Sequence, residues 1–411
     1  MLTRTTPSSP RVSEVVRRVE AVSDELEACA AETEKLGMLS AGSVHALRLA
    51  GVVRMLQPPE HGGEAAHPRD FAEAVMAVAR HCGSSGWVAG VLGVHPWEVA
   101  LLDPLAGEEV WGQNPEAWVA SPYSPSGVAD PVEGGFVLNG RWQFATGTDH
   151  ASWAFLGATM GNGGGNGNGN GNSRPANAGA HLHLLVSRSD YEIVPDTWDV
   201  IGLMGTGSKD VMVRDAFVPS HRVVMHKEVA NGVQAERAGR PETLYHMPFA
   251  AVFSLGLTAA VVGMAEGALA AHLSNRDVRV ATRTLRVSDD PYSMYAVGEA
   301  AAEISASRTQ LLDGVTSMYA EIEHGRLPGL AQVADLRRNQ IRAAWRAVRA
   351  VDEIFGRSGG NAGRRDHPLQ RFWRDAHMGL QHFIHMPGLV YHASALYAAG
   401  ADVPDELRRG I

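Results

Sequence analysis

The stretch Gly134–Gly147, GGFVLNGRWQFATG, decides the fold. Its apolar and aromatic residues form a short run closed by glycines, which is the texture of a strand and not of a helix. The same texture recurs in SWAFLGATM (152–160), HLHLLVSRSDYEIV (181–194) and DVIGLMGTGSKDVMVRDAFVPSHRVV (199–224). An antiparallel β domain is therefore expected over residues 117–228. Within it VEGGFVLNG (132–140) reads as a hairpin, with Asn139–Gly140 supplying the positive φ values of a tight turn. Residues 161–180, GNGGGNGNGNGNSRPANAGA, are expected to be a flexible loop with too little apolar surface to order itself.

Both flanks are helical. Over residues 1–116, VSEVVRRVEAVSDELEACAAETEKLG (12–37) and FAEAVMAVARHCG (71–83) carry apolar residues at three- and four-residue spacing. GVVRMLQPPEHGG (51–63) between them has the punctuation of a loop. SSGWVAGVLGVHPWEVALL (84–102) resumes a buried helix, interrupted at His95–Pro96. Over residues 229–411 four long segments, beginning at Phe253, Tyr292, Leu330 and Leu369, are each long enough for a four-helix bundle. The expected fold is mainly α with a central β domain.

Bulk composition narrows the function classes. Lys and Arg number 36 against 45 Asp and Glu, so no cationic face for a phosphate backbone is expected. Cys29 and Cys82 are too few for a disulfide framework or a thiolate metal site, which fits a reducing cytoplasm. The N-terminus has no apolar leader region, and no run of about 18 apolar residues is visible, so neither export nor membrane spanning is expected. No G-x-G-x-x-G follows a strand, so a nicotinamide dinucleotide is not expected to bind here.

Chemistry concentrates in Arg371–His392, RFWRDAHMGLQHFIHMPGLVYH, which sets four histidines and one isolated acid beside a tryptophan. Read as one helix at about 100° per residue, His382 and His385 fall on one face, roughly 60° apart, with His377 about 80° from His385. An imidazole titrating near about 6.5 can exchange a proton with a phenol at neutral pH. Partly buried structural histidines would read the same way. His382-x-x-His385 lacks a third ligand nearby, and no metal is expected.

The order of helices, strands and bundle, with LQPPEHGG (56–63), GFVLNGRWQFATG (135–147) and GRSGGNAG (356–363), resembles the acyl-CoA dehydrogenase superfold. That resemblance implies a flavin held between β domain and bundle. Dehydrogenases of the superfold carry a base glutamate in Tyr-Glu-Gly-Thr shortly after Arg-Asp-Ala. Here Arg374–Asp375–Ala376 is followed by HMGLQHFIHMPG, with no carboxylate until Asp402. CGSSGW (82–87), HPW (95–97), EVWGQNP (109–115), ATGTDHASW (145–153), GLMGTGSKD (202–210) and RFWRDAH (371–377) instead resemble the oxygenase component of two-component flavin-dependent monooxygenases. Within that family the words look most like enzymes that hydroxylate the secosteroid phenol of bacterial steroid catabolism.

The resemblance implies a reduced flavin, FMNH2 in preference to FADH2, that reacts with O2 to a C4a-hydroperoxide and hydroxylates a phenol ortho to its oxygen. It implies a separate NAD(P)H-flavin reductase and a homotetramer. By motif, Thr146 would face flavin N5, with backbone contacts from Phe144 and Ala145. Ser121 would lie near the peroxide, and Trp87 would pack near the isoalloxazine. His95 would reach the phenol, His382 would act as its base, and His385 is the reserve. Arg279 would bind the flavin phosphate across a subunit boundary, and Gly360 and Asn361 would approach the cofactor closely. Each residue also has a plain reading: a strand threonine, a core tryptophan, a solvated arginine, an interhelical turn. The alternatives are an acyl-CoA dehydrogenase with a base from elsewhere, a hydroxylase of a small phenolic acid or aromatic polyketide, and a non-catalytic flavin or ligand binder on the same scaffold.

Overall fold

The first helices begin where a short polar side chain can take up free N–H groups. Ser13 accepts from Val16 N, Ser40 from Ser43 N, and Asp103 from Leu105 N. The segment 12–37 is two helices, Glu14–Ala21 and Ser23–Leu36, broken at Val22. Pro68–His81 and Gly83–Leu92 follow, and His95–Val99 is a separate short helix, as the His95–Pro96 pair suggested. In this computed structural model the described residues are 13–162, 179–230, 232–274, 280–282 and 285–408. The flexible-loop expectation for 161–180 falls almost wholly outside them, as does Arg279.

The central strands form one sheet in the order Glu192–Val194, Lys209–Pro219, Gly135–Ala145, Gly127–Val132, Trp153–Met160, His181–Ser187, Val223–Met225, and Val280–Thr282 with Leu285–Arg286 makes a separate two-stranded sheet. It is mixed, not purely antiparallel: Gly127–Val132 and Val119–Ala120 both pair parallel with Trp153–Met160. The hairpin is present, but its turn is Glu133–Gly134, where Gly134 has φ +80° and Val132 faces Gly135. Asn139–Gly140 lies inside the long strand instead. Asn139 is held there by a side-chain pair with Asp215, donating Nδ2–H to Oδ1 at 3.0 Å and accepting from Asp215 N at 2.8 Å. Gly140 is needed for room, because a Cβ there would stand 2.7 Å from the Trp142 ring.

Helices Phe249–Ser274, Pro291–Glu323, Leu330–Gly356 and Pro368–Leu380 make the bundle. Phe249–Ser274 is apolar all round, and it packs against bundle helices and against Pro68–His81 and Gly83–Leu92. At Gly90 and Gly256 two backbones meet: a Cβ on Gly90 would stand 2.6 Å from Gly256 O, and one on Gly256 2.2 Å from Gly90 O. This helix corrects one expectation, since its 26 residues, with an 18-residue window of mean hydropathy 1.7, are long and apolar enough to cross a membrane. Here its richest window is 89% buried inside the protein, so its apolar surface is spent on the core.

The histidine-rich tail is not one helix. Pro368–Leu380 stops, a single turn Phe383–His385 follows, and Pro387–Ala398 starts a new helix. The angular argument placing His377, His382 and His385 on one face therefore fails. His377 pairs with Asp352 at 2.7 Å on the exposed side, while His382 and His385 part company across the turn.

Candidate active site

A cavity of about 350 Å³ opens where the three parts of the chain meet. Trp87 and Val91 come from the N-terminal part, Ser121–Ser124 from the segment after strand Val119–Ala120, Gln143, Phe144 and Thr146 from the end of strand Gly135–Ala145 and the turn after it, and Phe253, Met378, His382 and Phe383 from the C-terminal helical part. Trp198, Leu203 and Ser208 close it from the loop before strand Lys209–Pro219. Four of the expected residues, Trp87, Ser121, Thr146 and His382, are thus brought together with Phe144. Ala145, between Phe144 and Thr146, is fully buried and does not line the cavity.

The strand geometry explains how Thr146 is presented. The Gly135–Ala145 ladder is irregular between Trp142 and Ala145, and Phe144 takes φ +66°, a region costly for a side-chain-bearing residue. That twist leaves the Phe144 ring 58% exposed at the cavity mouth, edge-on to Trp198 at 6.1 Å. Thr146 Oγ1 lies 2.8 Å from Ser208 Oγ, which lies 2.7 Å from Thr206 Oγ1. Thr206 donates to Leu203 O at 2.9 Å, and a carbonyl can only accept. One proton per hydroxyl then fixes the chain: Thr146 donates to Ser208, and Ser208 to Thr206. Thr146 keeps its remaining lone pairs for the cavity, as an acceptor. Ser208 was not singled out from the sequence, although it lies in the GLMGTGSKD word.

His382 caps the turn after Leu380, its Nδ1 accepting from Ile384 N at 3.3 Å. In the neutral ring the proton must then sit on Nε2. Burial, helped by the nearby His385 and the Arg337 guanidinium, pulls its pKa down to about 3. Trp87 stands edge-on to the ring at 5.9 Å, and Phe383 lies against it at 4.9 Å. His382 is therefore a fixed neutral donor rather than a ready base. Arg337, unnoticed in the sequence, sets this turn by donating to Ile384 O at 2.6 Å from a fully buried position.

His385 and His95 do not line the cavity. His385 donates from Nδ1 to Gly379 O at 2.9 Å and accepts at Nε2 from Thr258 at 3.2 Å, so both nitrogens are used for packing. It cannot serve as the reserve base from that position. His95 stands one layer back, its Nδ1 3.1 Å from the Tyr123 hydroxyl. Tyr123, which the sequence reading passed over, presents the cavity wall and donates to buried Glu98. Gly360 and Asn361 are exposed, outside the cavity, and a Cβ on Gly360 would meet nothing, so close approach within this chain does not explain the glycine.

The Arg-Asp-Ala triplet holds the loop that carries Ser208. Asp375 accepts from Leu203 N at 2.6 Å, Arg374 donates to Ile201 O at 2.7 Å, and Arg371 and Arg374 both bind Glu34. Leu203 has φ +53°, so this turn needs the restraint. Burial raises the Asp375 carboxyl to about 6. Replacing Asp375 by alanine strands the buried Leu203 N–H and should cost about 1–3 kcal/mol. Urea unfolding at neutral pH checks this, and an unchanged midpoint would remove Asp375 from the account.

Comparison with known proteins closes the question of family. The family "Acyl-CoA dehydrogenase, C-terminal domain" matches residues 255–387. A pigment production hydroxylase of Rhodococcus erythropolis is 46% identical over 97% of this chain and 99% of its own length. The flavin-dependent monooxygenase oxygenase subunit HsaA of Mycobacterium tuberculosis is 38% identical over 92% of this chain and 93% of its own. The chain belongs to the flavin-dependent monooxygenases. The crystal structure of the M. tuberculosis HsaA monooxygenase superposes with a TM-score of 0.88 at 35% identity, over 97% of this chain and all of that one. The acyl-CoA dehydrogenase-like fold read from the motif order is the observed one.

As a flavin-dependent monooxygenase the protein uses reduced flavin and O2. The residues present fit a reduced flavin: Phe144 and Trp198 offer aromatic surface at the mouth, and Thr146 offers an outward acceptor that suits an N–H. Replacing Ser208 by alanine frees the Thr146 proton to turn outward, and loss of this one hydrogen-bond orientation should weaken reduced-flavin binding about tenfold. Anaerobic titration with reduced FMN and FADH2 reads it, and equal affinity in both proteins would sink the orientation argument.

Proposed function

We propose that this cavity ortho-hydroxylates a phenol, and that the phenol is a secosteroid intermediate of steroid catabolism. The observation that carries the reading is His382. Its Nε2–H is a neutral donor in a cavity whose lining includes the apolar side chains of Trp87, Val91, Phe253, Met378 and Phe383. Such a donor holds a phenol oxygen and stabilises it as negative charge develops there, which activates the ortho carbon. A bound reduced flavin would supply the two electrons and the oxygen-activating chemistry, with Thr146 among the residues that would hold it. One atom of O2 becomes the new hydroxyl and the other becomes water. The apolar walls exclude bulk water from the reacting oxygen.

A second observation argues against α-proton abstraction from an acyl thioester. Among the described residues lining the cavity there is no Asp or Glu. The HsaA relatives and the related 3-HSA hydroxylase structure support a phenol of steroid catabolism, while a relative named as an FADH2-dependent resorcinol hydroxylase, 34% identical over 88% of this chain, marks a small phenol as the competing substrate. Turnover of the secosteroid phenol beside resorcinol and a phenolic acid, each at equal concentration with reductase and NADH, tests the choice. Preferred hydroxylation of resorcinol would overturn the secosteroid assignment.

The oxygenase-component naming of the relatives supports a separate flavin reductase as partner. We further propose a cytoplasmic homotetramer in which Arg279, Gly360 and Asn361 meet a neighbouring chain's flavin. The exposure of Gly360 and Asn361 in the single chain supports that reading. Sedimentation of the purified chain tests it, with a monomer as the contrary result.

A further inference from the structure

Behind the cavity wall, three histidines converge away from the residues assigned above. His181 and His183 stand two apart on strand His181–Ser187 and so share one face. His226 opens the short helix directly after strand Val223–Met225, whose register pairs Leu182 with Met225 and His183 with Val224. The ring centroids lie 4.9, 4.9 and 5.0 Å apart, and one ring nitrogen of each lies within 4.8 Å of the others.

We propose that His181, His183 and His226 bind one divalent transition-metal ion of the zinc class. The outward nitrogens are already committed. His181 Nε2 lies 2.9 Å from Tyr123 O, and because a carbonyl only accepts, Nε2 carries the proton and Nδ1 is left free. His183 Nδ1 lies 2.5 Å from Glu98 Oε1, which leaves Nε2 facing His226 Nδ1 at 3.2 Å. Ligating histidines characteristically donate their second N–H to a carboxylate or a backbone carbonyl, and both arrangements occur here. The 3.2 Å separation also matches the roughly 3.3 Å edge of a tetrahedron built on Zn–N bonds of about 2.0–2.1 Å.

Charge supplies a second argument. Glu98 is fully buried, and among the described residues its carboxylate has Tyr123 and His183 as hydrogen-bond or ion-pair partners and no arginine or lysine. An uncompensated buried carboxylate is costly. A cation beside His183 balances it. The competing arrangement is an ordinary hydrogen bond, a single proton between His226 Nδ1 and His183 Nε2. The metal would tie strand His181–Ser187 to the following segment next to Tyr123, and so brace the cavity wall from behind. The spacing His-x-His with its third ligand on another element gave no recognisable sequence signature.

The test uses the full chain, stripped of metal by a chelator and of flavin by dialysis, titrated with Co2+ and then with competing Zn2+. One Co2+ per chain with the intense visible bands of a four-coordinate site is expected, and Zn2+ should raise the Tm. His226→Gln and, independently, His181→Gln should abolish both effects, Glu98→Gln should weaken the ion about 10–100-fold, and His377→Gln should change neither. Circular dichroism confirms that each variant is folded. Absence of saturable binding at one ion per chain, or equal affinity in folded His226→Gln, overturns the proposal and leaves the hydrogen bond.

Discussion

Replacing His382 by alanine is expected to lower phenol hydroxylation about 10²–10³-fold, the usual loss when a fixed donor to a developing oxyanion is removed. Reduced-flavin affinity should change little, because the Thr146–Ser208 pair is untouched. The pH dependence distinguishes a donor from a base. A base titrating at the ordinary imidazole value would give a rate that rises through pH about 6.5. His382 is held down to about 3, so the wild-type rate should show no inflection there. A variant turning over at the wild-type rate would remove His382 from the chemistry. An inflection near 6.5 that disappears in the variant would restore it as the base.

Mild acid is expected to destabilise the protein well before its ordinary carboxylates protonate. His95 and His385 are fully buried, with pKa values pushed down to about 3 and about 4, and His382 is held near 3. Unfolded, each titrates near about 6.5. Below that pH the unfolded chain takes up protons that the folded chain refuses, so stability falls as pH drops and keeps falling toward the folded values. Each fully buried imidazole contributes up to about 1.4 kcal/mol per pH unit. Asp375 has the opposite sign, since its pKa is raised from 3.8 to about 6 and the folded chain binds that proton first. It offsets about one histidine, so these four groups together contribute a loss of roughly 1–3 kcal/mol per pH unit below about 6. Urea midpoints at pH 7, 6 and 5 measure the slope, and His385→Gln should flatten it. A midpoint constant from pH 7 to 5 would contradict the buried-neutral assignment.

The order of helical part, sheet and bundle was legible because each texture is long and periodic, and the Gly-rich words mark places where backbone must turn or approach. Turns set from a distance were not. Nothing in QHFIHMPG stops a helix before Pro387, yet the chain breaks after Leu380. His382 caps the new turn, and Arg337, 47 residues earlier, takes the Ile384 carbonyl. Asn139–Gly140 looked like a turn on local grounds and became strand because Asp215 on the neighbouring strand satisfies Asn139.

The site divides along the same line. Trp87, Ser121, Thr146 and His382 were reachable through motif words, since each word fixes one residue on one element. Their partners were not. Ser208 meets Thr146 across 62 residues, and Glu98 meets Tyr123 across 25, so only the folded chain pairs them. His385 and His95 have the right chemistry at nearly the right place, and packing removed both from the cavity: one has both nitrogens occupied, the other stands behind Tyr123.

The central claim is that this cavity places one atom of O2 on a phenol held by His382. Mixing the anaerobic protein and reduced flavin with secosteroid phenol, then adding 18O2, tests it in one turnover with mass analysis of the product. The account requires a catechol carrying one 18O atom, formed by the wild-type chain and about 10²–10³-fold slower by His382→Ala. Reoxidation of the flavin with hydrogen peroxide as the sole oxygen product, with no catechol from any phenol offered, would contradict it.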